Sequence, residues 1–311
     1  MPDNLLTTTT EVDPAVNLFY QRTLLQPPQP EYIHTKFATP YSISRKSGNT
    51  MKFRRYSRLS AATTAITEGI TPSGEQLVKT DITATVSQYG SYVTITDIVD
   101  LTVEDPTITI AVDRQNDQMN NTNDQLARDY LAQSASSTTA SNGSPTATLL
   151  NRTDIEGVIG TLRGQDAKFI TSVIPAATGQ GTSPIRPAFV VLTDTDLEDD
   201  LEDVSTFRST TNYPAQQPIM DNEWGSTGNA RWITSTQGYV SGSNYTSIFL
   251  AKEAYGMIDI NGGNAQAIIK AFGSSGSADP LDQRTTTGWK MQQVFRILQD
   301  LFVHGLVSTN G

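Results

Sequence analysis

Apolar and polar residues alternate at two places in the first third of the chain. Residues 50–58, TMKFRRYSR, do so around Phe53 and Arg55, and residues 81–99, DITATVSQYGSYVTITDIV, do so with Ile82, Ala84 and Val86, then Val93 and Ile95. A period of two is the strand signature. The stretch between them, ATTAITEGITPSGEQLVKT, holds Gly69, Pro72 and Gly74 and has no period. The pattern therefore predicts two long strands joined by a long irregular tip: a protruding ribbon, marginal alone and in need of a partner surface.

Past the ribbon the period changes. Asp105 and Pro106 offer an N-cap and a proline at the first helical position, and Val112, Met119 and Leu126 then fall seven apart, with Tyr130 and Leu131 finishing the stripe. This predicts a long helix over about 105–133 with a narrow apolar face. Its other positions, among them Gln115, Asn116, Asn120, Asn121 and Asn123, are amide-rich and suit a helix lying exposed across a sheet. A second helix is predicted from Thr153 and Glu156, spaced as a capping box, and from Ile155, Val158, Ile159 and Leu162. Residues 188–193, AFVVLT, read as a buried strand, and an acidic helix follows from Asp194. Further strands are expected at 247–250, 257–260 and 265–271. The last segment, GWKMQQVFRILQDLFVHGLV, fits a helix through Met291, Val294, Phe295, Leu298 and Phe302 and a strand through the alternation of its neighbours. Periodicity does not decide between them.

Composition narrows the chemistry. The 311 residues include no cysteine and 2 histidines, His34 and His304, so a disulfide scaffold, a thiolate metal site and a multi-histidine site are all excluded. Thr- and Ser-rich sequence favours strands and loops over a helical bundle. The net charge of -10 is the reverse of what a free-standing nucleic-acid binder carries. No basic-apolar leader opens the chain and no run approaches eighteen apolar residues, so the expectation is synthesis and folding in a cytoplasm without a membrane span. Residues 1–46 read as an extended, Thr- and Pro-rich arm. Its patch of Leu18, Phe19, Tyr20, Leu24 and Leu25 is more apolar than a solvated tail needs, which points to docking on an adjacent subunit.

Several stretches together resemble a known family. KFATPYSISRKSGNTMKFRRYSRL, AITEGITPSGEQL, TDITATVSQYGSYVTITDIVDLTVEDP, AKEAYGMIDI and DPLDQRTTTGWK, in that order, are similar to the major capsid proteins of tailed bacteriophages of the N4 gp56-like group. The resemblance implies the α+β, HK97-like capsid fold. It assigns an N-terminal arm to 1–46, an extended loop to 47–94, a peripheral domain with a long spine helix to 95–150 and 279–311, and an axial domain to 151–278. By the same resemblance the terminal segment is strand. The implied function is a shell subunit that forms pentamers and hexamers around double-stranded DNA, in a virion assembled in the host cytoplasm. Scaffold, portal and decoration proteins are the implied partners, with DNA at the inner face bound without sequence specificity. An encapsulin-type compartment shares the architecture and is the alternative. A tail fibre or adhesin would show repeats or a coiled coil, and neither is found.

No cofactor, metal or catalytic constellation is expected. Phosphate-loop, zinc-protease and nucleophile-elbow motifs are missing, and Gly179-Gln180-Gly181 is an incomplete glycine motif best read as a loop. The acidic run from Asp194 to Asp203 has Asp199 where a calcium loop needs glycine, so it reads as a charged helix start. Lys52 and Lys79 lie in the ribbon, with nothing to mark a cross-linking partner. Arg45, Lys46, Lys52, Arg54, Arg55 and Arg58 form a basic cluster with no acid between Glu31 and Glu68. Contact with DNA and a solvated strand face are both open readings. Pairing with a neighbouring acidic surface is favoured because the whole chain is acidic. The expected intersubunit contacts are Arg54, Arg55, Arg58, Glu68, Leu18, Phe19, Leu24 and Leu25.

Overall fold

A computed structural model describes residues 27–103, 105–141, 146–174, 185–214, 220–261, 265–274 and 279–311. The chain opens with β1 (Thr39–Ile43), β2 (Thr50–Tyr56), β3 (Lys79–Thr85) and β4 (Ser87–Thr96), then the short α1 (Asp97–Thr102) and the long α2 (Thr107–Ser134). There follow β5 (Ser136–Thr139), α3 (Arg152–Gly164), β6 (Phe189–Asp194), α4 (Glu198–Asp203) and β7 (Phe207–Ser209). The remaining elements are β8 (Glu223–Thr227), β9 (Ala230–Ser235), β10 (Tyr239–Ser241), β11 (Asn244–Leu250), β12 (Tyr255–Ile260), β13 (Gln266–Lys270), β14 (Arg284–Ile297) and β15 (Val303–Ser308).

Three sheets result. β14 pairs with β4 along one edge and with β13 and then β12 along the other, and β1 adds outside β12 to make a five-stranded sheet. The second sheet has eight strands in the order β5-β15-β11-β6-β9-β8-β7, with β10 on β11. β2 and β3 form a separate hairpin. The terminal segment is thus strand, broken by a 3-10 turn at Asp300–Phe302. Its alternate residues Thr285, Thr287, Trp289, Met291, Gln293, Phe295 and Ile297 are all buried. A helix would have turned several of them to solvent.

Two cores hold the layers. Ile155, Val158, Ile159 and Leu162 of α3 pack on one face of the eight-stranded sheet against Phe189, Val191 and Trp232, with Trp232 and Phe249 edge to face at 5.6 Å. The other face, Val190, Leu192, Ile233 and Ile248, meets Ala127 and Leu131 of α2 together with Phe295, Ile297 and Ile33. The C-terminal half of α2 therefore lies between the two large sheets. Where β7 and β8 pair, only glycine fits at position 225, because a Cβ there would lie 2.4 Å from the Phe207 ring and 2.5 Å from the Arg208 carbonyl oxygen. Gly225→Ala is expected to lower unfolding stability by about 1–3 kcal/mol in a urea titration, the usual effect of overpacking.

Several expectations need correction. The second ribbon strand does not run from 81 to 99: it breaks at Val86, and only β3 pairs with β2, while β4 belongs to the five-stranded sheet. Residues 97–99 are helical. Helix α2 is capped by Pro106 rather than Asp105, since the Pro106 ψ of 76° is not helical and Asp105 supplies only its backbone carbonyl, to the Thr107 N–H. The residues of α2 that are buried are Gln115, Asp124, Ala127 and Leu131, not the stripe of Val112, Met119 and Leu126. Asn116 and Asn120 face solvent as expected, but Gln115 and Asn123 of the same set grip the sheet, joined by Gln118. Gln115 Nε2 donates to the Thr287 carbonyl at 2.6 Å, the Trp289 indole donates to Gln118 at 3.0 Å, and Gln293 bonds Asn123. Helix α3 begins one turn-fraction earlier than the capping box implied: Asn151 accepts the Asp154 N–H at 2.9 Å, and Glu156 pairs with Arg152 instead.

Part of residues 1–46 packs within the chain. Ile33 and His34 are fully buried in the chain's own core, and Thr39–Ile43 is a strand of its own sheet. The patch Leu18, Phe19, Tyr20, Leu24 and Leu25 and the Gly179-Gln180-Gly181 loop lie outside the described residues.

Candidate assembly surfaces

The ribbon is built from a packed base and a bare tip. At the base, Met51 and Phe53 of β2 and Ala84 and Val86 around β3 cover Ile43 and Ile258 of the five-stranded sheet, and Tyr41 meets Phe53 edge to face at 5.0 Å. The last backbone rung is the Ser57 N–H to the Val78 carbonyl at 2.9 Å. Beyond it, every residue from 57 to 80 is exposed. Tyr56, Leu59, Ile66, Ile70, Leu77 and Val78 all present apolar surface, Ile66 at 75% exposure. So much uncovered apolar surface on one projecting element marks an interaction site.

The basic cluster is partly satisfied within the chain. Asp81 of β3 receives Lys52 at 2.9 Å, Lys79 at 3.3 Å and Arg54 at 3.5 Å. The hydrogen bond from Lys52, followed by those from Lys79 and the two lysine charges, holds the Asp81 carboxyl below the ordinary carboxylate range, against a smaller opposing effect of burial. Such a group stabilises the hairpin above its unfolded pKa, and the contribution disappears as pH falls through the lowered folded value. Asp81→Asn should therefore flatten the acid-side loss of amide protection in β2 and β3, measured by hydrogen exchange between neutral pH and about pH 3. Arg58 reaches Asp166 at 3.7 Å, but both side chains are about nine-tenths exposed, so the pair contributes little. Arg55 points to the inner face of the ribbon, and its Nη1 is buried without a hydrogen-bond partner. Glu68 stands in the exposed tip beside Gly69, and the structure does not bring it to the arginines.

Two further surfaces escaped the sequence reading. Ile268 of β13, Gly288 of β14 and Tyr92 of β4 lie in register across the face of the five-stranded sheet that the ribbon base leaves open. Tyr92 is 73% exposed. Beyond them α1 buries nothing, and Ile98 and Leu101 are exposed along with Leu281. Exposed apolar residues in a short helix were the available signal. The second surface is the inward end of the arm. The Asp124 carboxylate of α2 accepts the His34 backbone N–H and the His34 ring Nδ1, each at 2.8 Å, and the Tyr255 hydroxyl donates to the His34 carbonyl. Burial and then the Asp124 charge push the Tyr255 pKa upward, keeping that hydroxyl a donor. Gln29 and Ser235 add bonds at 2.6 Å each, from Gln29 to Asp117 and from Ser235 to the Glu31 carbonyl.

The chemistry of catalysis is sparse in the same residues. His304 Nε2 lies 2.7 Å from the Thr138 hydroxyl, tying β15 to β5, and burial lowers its pKa. Its contacts join two strands. In the acidic run, Asp194 accepts the Asp196 N–H, Asp196 accepts the Tyr245 hydroxyl at 2.8 Å and Asp200 accepts the Gly311 N–H, so the carboxylates diverge. Among the described residues no group of three or more acidic or histidine side chains could hold a metal ion, and no helix is long and apolar enough to cross a membrane.

The chain is a two-sheet body with a helix between and a projecting ribbon. The chain belongs to the phage capsid protein family, whose model matches residues 79–299. It is a virion component whose copies assemble into a shell. In structure it is similar to the capsid of Helicobacter pylori bacteriophage KHP30, with a TM-score of 0.69 and 12% identity over 99% of this chain and 100% of that one. The capsid of cyanophage P-SCSP1u gives 0.66 and 13%, over 100% and 97%. The capsid of Ralstonia phage GP4 gives 0.66 and 13%, over 98% of each. The α+β, HK97-like fold expected from the sequence is the fold observed. No curated protein matches the sequence.

Proposed function

We propose that this chain is the major capsid protein of a tailed phage of the N4 gp56-like group, and that its ribbon fastens each subunit to its neighbour in pentamers and hexamers around double-stranded DNA. The observation that carries the reading is the ribbon tip, exposed from residue 57 to 80 and set with large apolar side chains on a base that is well packed. A monomer gains nothing from it.

In this reading β2, β3 and the tip between them are the extended loop, the five-stranded sheet with α2 is the peripheral domain, and the eight-stranded sheet with α3 and α4 is the axial domain. The apolar arm residues Leu18, Phe19, Leu24 and Leu25 dock on an adjacent chain, and Arg54, Arg55, Arg58 and Glu68 contact acidic or basic groups of neighbours. The net charge of -10 keeps the inner wall from gripping DNA, so the genome is free to move during packaging and ejection. The role is mechanical and not enzymatic. Scaffold, portal and decoration proteins complete assembly in the host cytoplasm.

Expression of the chain with and without co-expressed phage head proteins, followed by sedimentation and negative-stain electron microscopy, tests this. Closed icosahedral shells are expected. Fibres or stable monomers under all conditions would refute it, and shells that hold cargo proteins and exclude DNA would favour the encapsulin-type alternative.

A further inference from the structure

At the β7 end of the eight-stranded sheet, beside the first turn of α3, lies a cavity of about 210 Å3. Arg152, Arg186 and Arg208 line it, and Glu156 brings a carboxylate to the same wall. Three arginines thus border one hollow of a chain whose net charge is -10. Arg152 occupies the first position of α3, so the positive end of the helix dipole adds to the field, while Glu156 is already held by Arg152 at 2.7 Å.

Two further features shape the wall. Ser226 of the wall is in register with Arg208 on one side and Arg231 on the other. Arg231 is fully buried; its Nη2 donates to the Ser172 carbonyl at 3.1 Å and its Nε is ion-paired with the fully buried Glu223 at 3.8 Å, so its charge is met within the chain and the cavity's own charge rests on the three arginines of its wall. Thr206, also in the wall, has φ of 94°, a left-handed conformation that a β-branched residue adopts only when its surroundings impose it.

We propose that this cavity is a binding site for a phosphate-class oxyanion. Planar guanidinium forks match the tetrahedral oxygens of phosphate through paired charge-assisted hydrogen bonds, and a concave wall strengthens them by displacing water. A hollow of this size admits one phosphate group, either the free ion or the terminal phosphate of a nucleic-acid strand, but not the continuous backbone of a duplex. The proposal stands apart from the ribbon contacts and does not depend on them.

The test uses the full chain. Inorganic phosphate, titrated against sodium chloride of matched ionic strength, should raise the thermal unfolding midpoint saturably, and calorimetry should give one site per chain. Arg186→Ser with Arg208→Ser should weaken binding about tenfold or more, the loss expected for charge-assisted bonds. Because Arg186 is exposed, Arg186→Ser alone serves as the variant that cannot fail through misfolding. Glu156→Gln should tighten binding about two- to fivefold by removing the competing carboxylate. A short oligonucleotide with a 5′-phosphate that outcompetes inorganic phosphate identifies the strand end as the source. Equal or weaker competition identifies the free ion. A midpoint that follows ionic strength alone, or phosphate binding unchanged in the arginine variants, overturns the proposal. So does preferential binding of an acidic peptide copying residues 195–203, which would make the cavity a protein contact.

Discussion

Subunits lacking residues 60–77, closed by a short Gly-Ser turn, are expected to fold and stay soluble but to form no closed shells. The Ser57–Val78 rung survives this deletion, as does the base where Phe53 packs on Tyr41. What is removed is fully exposed, including Ile66, Ile70 and Leu77, so the isolated subunit loses almost no buried surface. Shortening a loop changes closure entropy by well under about 1 kcal/mol per halving. Circular dichroism and urea midpoints should therefore match those of the intact chain, while sedimentation shows no shell-sized species. Full-size shells from the shortened chain would remove the ribbon from the assembly mechanism.

The largest effect on the subunit itself is expected at Asp124. This carboxylate is fully buried in α2 and accepts two hydrogen bonds from His34, one from the backbone and one from the ring. Asp124→Ala leaves both donors buried and unpaired, while the bond from the Tyr255 hydroxyl to the His34 carbonyl remains. A buried donor left without its acceptor costs about 1–3 kcal/mol, so the loss of both bonds is expected to cost a few kcal/mol. Asp124→Asn should cost less, because an amide oxygen still accepts one bond. Urea unfolding of unassembled subunits gives the magnitude, and faster tryptic cleavage after Lys36 reports release of residues 29–43 from α2 and the sheet. Equal stability of the alanine variant would show that the node contributes nothing to anchoring the arm.

Much of this architecture could be read from the chain because its signals are local. Residues 188–193 form a buried strand wherever they are placed, and the spacing of Ile155, Val158, Ile159 and Leu162 commits α3 to one face. What escaped depends on partners distant in sequence. Gln115 and Asn123 of α2 look like solvent-facing positions until Thr287 and Gln293 are brought beneath them, some 170 residues later in the chain. Asn151 and Thr153 are both competent caps, and only the approach of the chain selects Asn151. Val294 and Phe295 satisfy helical and strand periods alike; β12 resolves the ambiguity by pairing Ile258 with Val294 and Met257 with Phe295. The break at Val86 is invisible for the same reason, since the alternation continues while the partner strand changes.

The candidate surfaces divide in the same way. The tip's glycines, proline and missing period announced an element without its own core. The basic cluster showed its charge but not its partner, because Asp81 lies across the hairpin from Lys52 and Arg54. The bare face at Tyr92, Gly288 and Ile268 required three strands to be placed side by side.

The central claim is that the ribbon of one chain is completed by the surface of another, and electron cryomicroscopy of purified particles at side-chain resolution tests it most directly. Density for residues 57–80 is expected to lie against an adjacent subunit, with Ile66, Ile70 and Leu77 covered. Ribbons standing free in solvent, or folded back on their own subunit with those side chains buried there, would contradict it.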